Sequence, residues 1–200
     1  MNEWRRRLPT VIEIALALVV AVAAGRLSVR APSVDEPGAV DVGFSQDMAV
    51  HHEQAVLMAN LAQTHGTTAV TGLADAILIN QSQEIGLMRG WLQLWHQPTT
   101  DPRPMSWMSS PSHGMSGMSS TAMPGMATPD QLTRLASLSG KRFDALFLEL
   151  MIRHHEGGLQ MCQFAEAHAS LAVVRRAAVS MAVEQVEDLG QLRALLKAAG

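Results

Sequence analysis

Two triplets, His51-His52-Glu53 and His154-His155-Glu156, with Met48, Met58, Met151 and Met161 near them, carry the side chains of this chain best suited to hold a ligand. Imidazole suits copper, zinc, iron and nickel, whereas thioether selects Cu(I) and leaves hard ions such as magnesium and calcium to oxygen donors. A set that mixes the two points to copper, with Cu(I) favoured and other transition metals left open. A second set, His113, Met115 and Met118, lies in the string His113-Gly114-Met115-Ser116-Gly117-Met118, between Met105 and Met108 on one side and Met123 and Met126 on the other. Thioethers three to five residues apart on Gly/Ser chain can wrap a single Cu(I) ion, and low-complexity bias is the competing explanation.

Each residue has a plainer reading beside the chemical one. A methionine at helical spacing is more often core filler than ligand. A lone interior histidine is commonly a satisfied core residue, but two matched pairs need a shared reason, which a metal or another polar ligand supplies. Glu53 and Glu156 point away from the histidine stripe and read as surface charges. Glu84 and Glu187 could orient a ligating imidazole, or equally be surface charges. Cys162 stands where the first triplet's region has Ala59, so it is either a thiol ligand for Cu(I) or a small buried residue. His65 and His168 lie fourteen residues beyond the first histidine of each pair, about 21 Å along a helix, too far to share a mononuclear site with it.

The elements that must position these donors are repeated. An ungapped shift of 103 positions pairs Phe44 with Phe147, Met48 with Met151, His51-His52-Glu53 with His154-His155-Glu156, and Met58 with Met161. It also pairs Ala62 with Ala165, His65 with His168, Ala69-Val70 with Ala172-Val173, Ala74 with Ala177, Glu84 with Glu187 and Leu92 with Leu195. Chance would match roughly 3 or 4 positions over such a span. Apolar residues recur at three and four positions, which predicts helices over residues 42–65, 69–95, 143–168 and 171–199. Phe44, His51, Ala55, Met58, Ala62 and His65 share one stripe with Met48 and His52 along its edge, so one histidine of each pair is expected to face the interior. Two such helices face to face would bring four imidazoles and four thioethers into one region. The fold class is all-α, an antiparallel four-helix bundle from two duplicated hairpins, preceded by an N-terminal membrane-targeting helix.

Expected boundaries are 1–28 for a signal peptide or transmembrane anchor, 29–41 for a spacer and 42–200 for the bundle. Within the bundle, repeat one is 42–97, a Met-rich mobile linker 98–128, a short helix 129–139 opened by Pro129 with Thr128 as its cap, and repeat two 141–200. The first segment has arginines at 5 to 7, an apolar run at 8 to 24 and small residues at 21 to 23, a targeting pattern that places the rest outside the cytoplasm. The net charge of -3 and the lack of a later basic cluster argue against nucleic acid as a partner. A single cysteine leaves helix packing, not disulfides, to hold the fold.

The motif Phe44-x-x-x-Met48-x-x-His51-His52-x-x-Ala55-x-x-Met58, its repeat from Phe147 to Met161, and Gln81-x-x-Glu84-Ile85-x-x-Met88-x-x-Trp91 resemble the DUF305 family of exported bacterial proteins. The resemblance implies a ferritin-like four-helix bundle and, for some members, extracytoplasmic copper binding linked to copper tolerance. Carried onto this chain, its motif reaches Met48, His51, His52, Met58, Met151, His154, His155 and Met161. In the last helix the 103-residue shift sets Glu184, Asp188, Gln191 and Ala194 against Gln81, Ile85, Met88 and Trp91, a departure that sets the two halves apart. The leading function is a copper-sequestering or copper-delivering protein on the outer face of the membrane. A ferritin-like di-metal oxidoreductase ranks lower, because neither copy has Glu-x-x-His, and a metal-free structural bundle is the third reading. The partners that fit are a metal ion, a membrane through the N-terminal segment, a second copy of the chain and a copper-handling protein.

Overall fold

The computed structural model describes residues 36–108 and 123–199. These form five α-helices: α1 Ala39–His65, α2 Thr68–Leu94, α3 Pro129–Ala136, α4 Lys141–His168 and α5 Ala172–Ala199, with one 3-10 turn at Ser106–Met108. Among the described residues there is no strand. The N-terminal segment, residues 1–28, lies outside them, as do residues 29–35 of the spacer and His113, Met115 and Met118. No described helix is long and apolar enough to cross a membrane.

Helices α1 and α2 form one hairpin, α4 and α5 the other, and α1 packs antiparallel on α4 while α2 and α5 touch only lightly. The long helices fall within three residues of their expected bounds. The largest shift is at the start of α1, where Ala39–Asp41, expected to end the spacer, form the first turn, with the Asp41 carboxylate accepting the Gly38 N–H at 2.7 Å. Helix α3 opens as expected, the Thr128 hydroxyl accepting from Gln131 N and the Gln131 side chain accepting from Thr128 N. Gly140 opens α4 at φ 60° and donates its N–H to the His65 carbonyl at 2.8 Å.

The two halves exchange caps. Asp144 of α4 accepts from the Thr67 N–H and hydroxyl at the start of α2, at 2.9 and 2.6 Å. Asp41 of α1 accepts from Ser170 N and Leu171 N at the start of α5, at 3.2 and 2.9 Å. Each carboxylate meets the unpaired N–H groups and the positive end of a helix from the other repeat.

The repeat itself is not ungapped. The turn between α1 and α2 is Gly66-Thr67, but that between α4 and α5 is Ala169-Ser170-Leu171, one residue longer. Beyond it the register is 104. Buried Val70, Ala74, Ile77, Gln81, Ile85 and Met88 answer to buried Val174, Ala178, Met181, Gln185, Leu189 and Leu192. The departures expected in the last helix therefore shrink to Asp188 for Glu84 and Leu195 for Trp91, while Gln185, Leu189 and Leu192 stand for Gln81, Ile85 and Met88.

The segment expected as a mobile linker is fastened to α1 at both described ends. Trp107 is buried, its indole N–H donating to Asp47 Oδ2 at 2.8 Å beside the Met105 N–H at 2.6 Å, and Gly43 leaves the space that the ring fills. Met105 and Met108 pack on the same apolar cluster, so core packing does explain these two methionines. At the other end Gln54 brackets Ala127, its amide donating to Ala127 O and accepting from Ala127 N.

Candidate metal centre

The histidines sit at mid-helix, where α1 and α4 cross. All four, His51, His52, His154 and His155, are no more than 1% exposed, so the expectation that one of each pair faces the interior understates the burial. His51 and His154 point across the α1–α4 interface, their ring centroids 3.8 Å apart and planes tilted by 31°. His52 and His155 turn instead toward the second helix of their own hairpin. Within each pair the rings stand 6.2 Å apart at nearly the same tilt, 53° and 56°, so the duplication survives in side-chain geometry.

The hydrogen bonds fix where several protons sit. His51 Nε2 is 3.0 Å from the Pro124 carbonyl, and His154 Nε2 is 3.0 Å from the His51 carbonyl. A carbonyl only accepts, so both Nε2 atoms carry hydrogen, and each neutral ring has its lone pair on Nδ1. His51 Nδ1 has no hydrogen-bond partner, nor does either nitrogen of His52. His52 Nε2 does lie 2.9 Å from Glu84 Oε2, but the two are not aligned as donor and acceptor. His155 is better served: Nδ1 donates to the Met151 carbonyl at 3.0 Å and Nε2 meets Asp188 Oδ2 at 3.1 Å.

Burial keeps His51, His52 and His154 neutral. It pulls His51 and His52 from the ordinary imidazole value down to about 3, helped for His51 by neighbouring His52 and for His52 by His155. His154 is held well below that value by burial first and then by the three imidazoles around it. The same burial, with Asp188 nearby, pushes Glu84 up to about 7. Desolvation is the first cause in each case and acts against whichever form is charged. Of the Glu84–His52 pair, it is the carboxyl that takes up a proton first as pH falls.

The thioethers are not in the imidazole layer as one group. Met48 and Met161 belong to the apolar cluster on one side of it, Met58 and Met151 to that on the other, all four fully buried. The antiparallel crossing explains this: a residue before the histidines in one helix meets one after them in the other. Among the described residues, no three His, Cys, Asp or Glu side chains already converge as a coordination shell. The donor types nonetheless suit a soft ion, since His51 Nδ1 and one of the two His52 nitrogens are neutral lone pairs that a proton does not contest near pH 7.

The remaining candidates resolve into structural roles. Glu53 pairs with Arg89 and Glu156 with Arg193 on the exposed surface. Glu187 is exposed, and Asp188, one residue on, takes the place opposite His155 that Glu84 takes opposite His52. Asp188 is the residue missed; the identities of Gly86 with Gly190 and Arg89 with Arg193 at a shift of 104 are the signal that would have found it. Cys162 is buried, its thiol contacted by the Gln185 amide at 3.6 Å and kept protonated by desolvation. His65 and His168 stack on Phe143 and Phe164, away from the centre.

The model of a domain of unknown function, DUF305, matches residues 41–196. The chain belongs to the DUF305 family. Its fold is similar to that of a DUF305 protein from Streptomyces coelicolor, at 35% identity and TM-score 0.73 over 80% of this chain and 94% of that one. It is similar also to a DUF305 fragment from Deinococcus radiodurans, at 28% identity and TM-score 0.66 over 81% and 98%. A third similar structure is CopM in the Cu(II)-bound form, at 26% identity and TM-score 0.59 over 79% and 96%. No curated protein matches the chain. In this DUF305 chain the paired histidines and the Gln81-to-Trp91 motif meet: Glu84 of that motif is the carboxyl beside His52.

Proposed function

We propose that this DUF305 chain binds copper outside the cytoplasm, taking it into the imidazole layer at the crossing of α1 and α4, to sequester or deliver it. The observation that carries the reading is the set of neutral, wholly buried imidazole nitrogens without partners, His51 Nδ1 and both nitrogens of His52. A buried polar atom left unpaired costs roughly 1–3 kcal/mol. The two lone pairs in that set, on His51 Nδ1 and on one nitrogen of His52, make sense where a metal ion satisfies them. His154 and His155 complete the nitrogen set, and Met48, Met58, Met151 and Met161 flank it with sulfur donors that favour Cu(I). Binding through thioether requires the methionines to swing toward the layer, which their unbranched chains allow. His113, Met115 and Met118 form a second, separate site of one imidazole and two thioethers in this reading. Similarity to CopM in its Cu(II)-bound form supports the choice of copper. The N-terminal segment, as signal or anchor, and a neighbour described as a candidate secreted protein support the location.

A metal-free structural role draws on His155, both of whose nitrogens already have partners. Metal analysis of untagged protein, followed by anaerobic Cu(I) titration against a competing chelator, decides between them. His51→Gln with His154→Gln keeps most of the volume and should remove the tighter site, with folding checked by circular dichroism. Unchanged affinity in a folded double variant would leave the structural role standing.

A further inference from the structure

The imidazole layer is closed to solvent on its α1 and α4 sides, yet its outer edge is not. Helices α2 and α5 touch so lightly that a groove of about 630 Å³ opens between them. Glu84 and Glu184 line it from opposite walls, with Asn80, Trp91, Met181 and Arg176 among its other residues. Glu84 is where the groove meets the buried layer. Its side chain is 15% exposed, and its Oε2 lies 2.9 Å from Nε2 of His52, which is 1% exposed and has no hydrogen-bond partner. Asp188, also 15% exposed, holds the equivalent place before His155, 3.1 Å from its Nε2. The groove is thus a passage with water at one end, carboxyl groups along it, and an unpartnered imidazole behind the last of them.

We infer that the groove between α2 and α5 is the entry for metal cations, with Glu184 as an outer docking carboxylate and Glu84 as the group that passes the ion to His52. The inference rests on the metal-binding reading above and adds a route to it. A carboxylate near the mouth concentrates cations by its field and holds them briefly through oxygen, a hard donor that a borderline or soft ion leaves readily for imidazole. Arg176, exposed on the same wall, opposes this, so the charges of the mouth have opposite and separable effects. Any proton on the Glu84 carboxyl leaves to water as the cation arrives and returns when it has passed, and the cation exchanges oxygen ligands for nitrogen.

The test is stopped-flow uptake of Cu(II) by the full chain, followed by quenching of tryptophan fluorescence. Cu(II) suits imidazole, and thioether prefers Cu(I), so with His113→Ala as the common background the signal reports on the bundle rather than on the methionine-rich segment. Glu184 touches no histidine, and Glu184→Gln should slow association about fivefold and dissociation with it, leaving affinity within about twofold. Arg176→Gln should speed association, and raised ionic strength should narrow the difference between the variants. Glu184 acting as a direct ligand would show instead as faster dissociation and lost affinity, which overturns the entry role. Equal rates in wild type, Glu184→Gln and Arg176→Gln overturn it as well while leaving metal binding intact. A wild type that takes up no Cu(II) overturns the binding reading and the route together.

Discussion

At the scale of single residues, the neutral histidines make stability depend on acid in a definite direction. In the unfolded chain His51, His52 and His154 take up protons as pH falls through about 6.5. In the folded chain they do not until far lower, about 3 for His51 and His52. Glu84 works the other way, since folded it keeps its proton up to about 7, whereas unfolded it loses it near the ordinary carboxylate value. Three imidazoles against one carboxyl leave the unfolded chain with about two more protons between pH 6 and 5. Stability of the metal-free protein should therefore fall on acidification across that window, on the order of 2–3 kcal/mol per pH unit. Urea unfolding at pH 7, 6 and 5 measures it, and a flat profile would mean the rings are not held neutral. Glu84→Gln removes the opposing proton, raising the difference from about two protons to about three, and should steepen the slope by about one half. The histidines as candidates were legible in the sequence because pairing and duplication are patterns of residue type. Their partners were not, because Asp188 and the Pro124 carbonyl come from segments whose register is set by packing.

At the scale of elements, the chain after Met123 lies across the histidine layer as a strap, and two glycines permit it. A Cβ on Gly157 would sit 2.0 Å from the Pro124 carbonyl oxygen, the atom that accepts from His51, and one on Gly125, at φ 77°, would meet the Arg153 carbonyl at 2.2 Å. Gly157→Ala should lift the strap, destabilise the fold by about 1–3 kcal/mol and free His51 Nε2. Unfolding curves give the first effect and the ring-proton NMR shift of His51 the second; an unmoved shift would show that the strap yields elsewhere. The helices themselves were readable to within three residues, since their apolar spacing and the Thr128-Pro129 start are local signals. The anchoring of residues 98–108 was not. A segment rich in Pro, Ser and Gly reads as linker until one tryptophan finds a buried aspartate, a contact between Asp47 and Trp107 that no local pattern announces.

At the scale of the whole molecule, the two caps tie the repeats together from opposite ends. Asp41→Ala and Asp144→Ala should each cost about 1–2 kcal/mol, and because the sites are distant the double variant should show the sum within about 0.5 kcal/mol. Thermal unfolding of the single and double variants checks this, and a double variant no worse than either single one would mean the ends are not independent. The duplication was visible from sequence and implied two similar halves. The single additional residue in the α4–α5 turn was not visible, because an ungapped shift still matches by chance where small and apolar residues abound, as Ala69-Val70 with Ala172-Val173 does.

That reciprocal capping bears on how such a molecule is put together. Each hairpin leaves the N-terminus of its second helix for the other to finish, and the face that carries His51 is completed by the face that carries His154. A surface that is satisfied by a near copy of itself, related by a half turn, is what a symmetric dimer presents. Seen so, this chain is two protomers fused head to tail, and the peptide between them fixes their stoichiometry at one to one while its two described ends add contacts on α1. Severed between residues 108 and 123, the halves should still reassociate into a single cooperative unit, and either half alone should seek a second copy of itself.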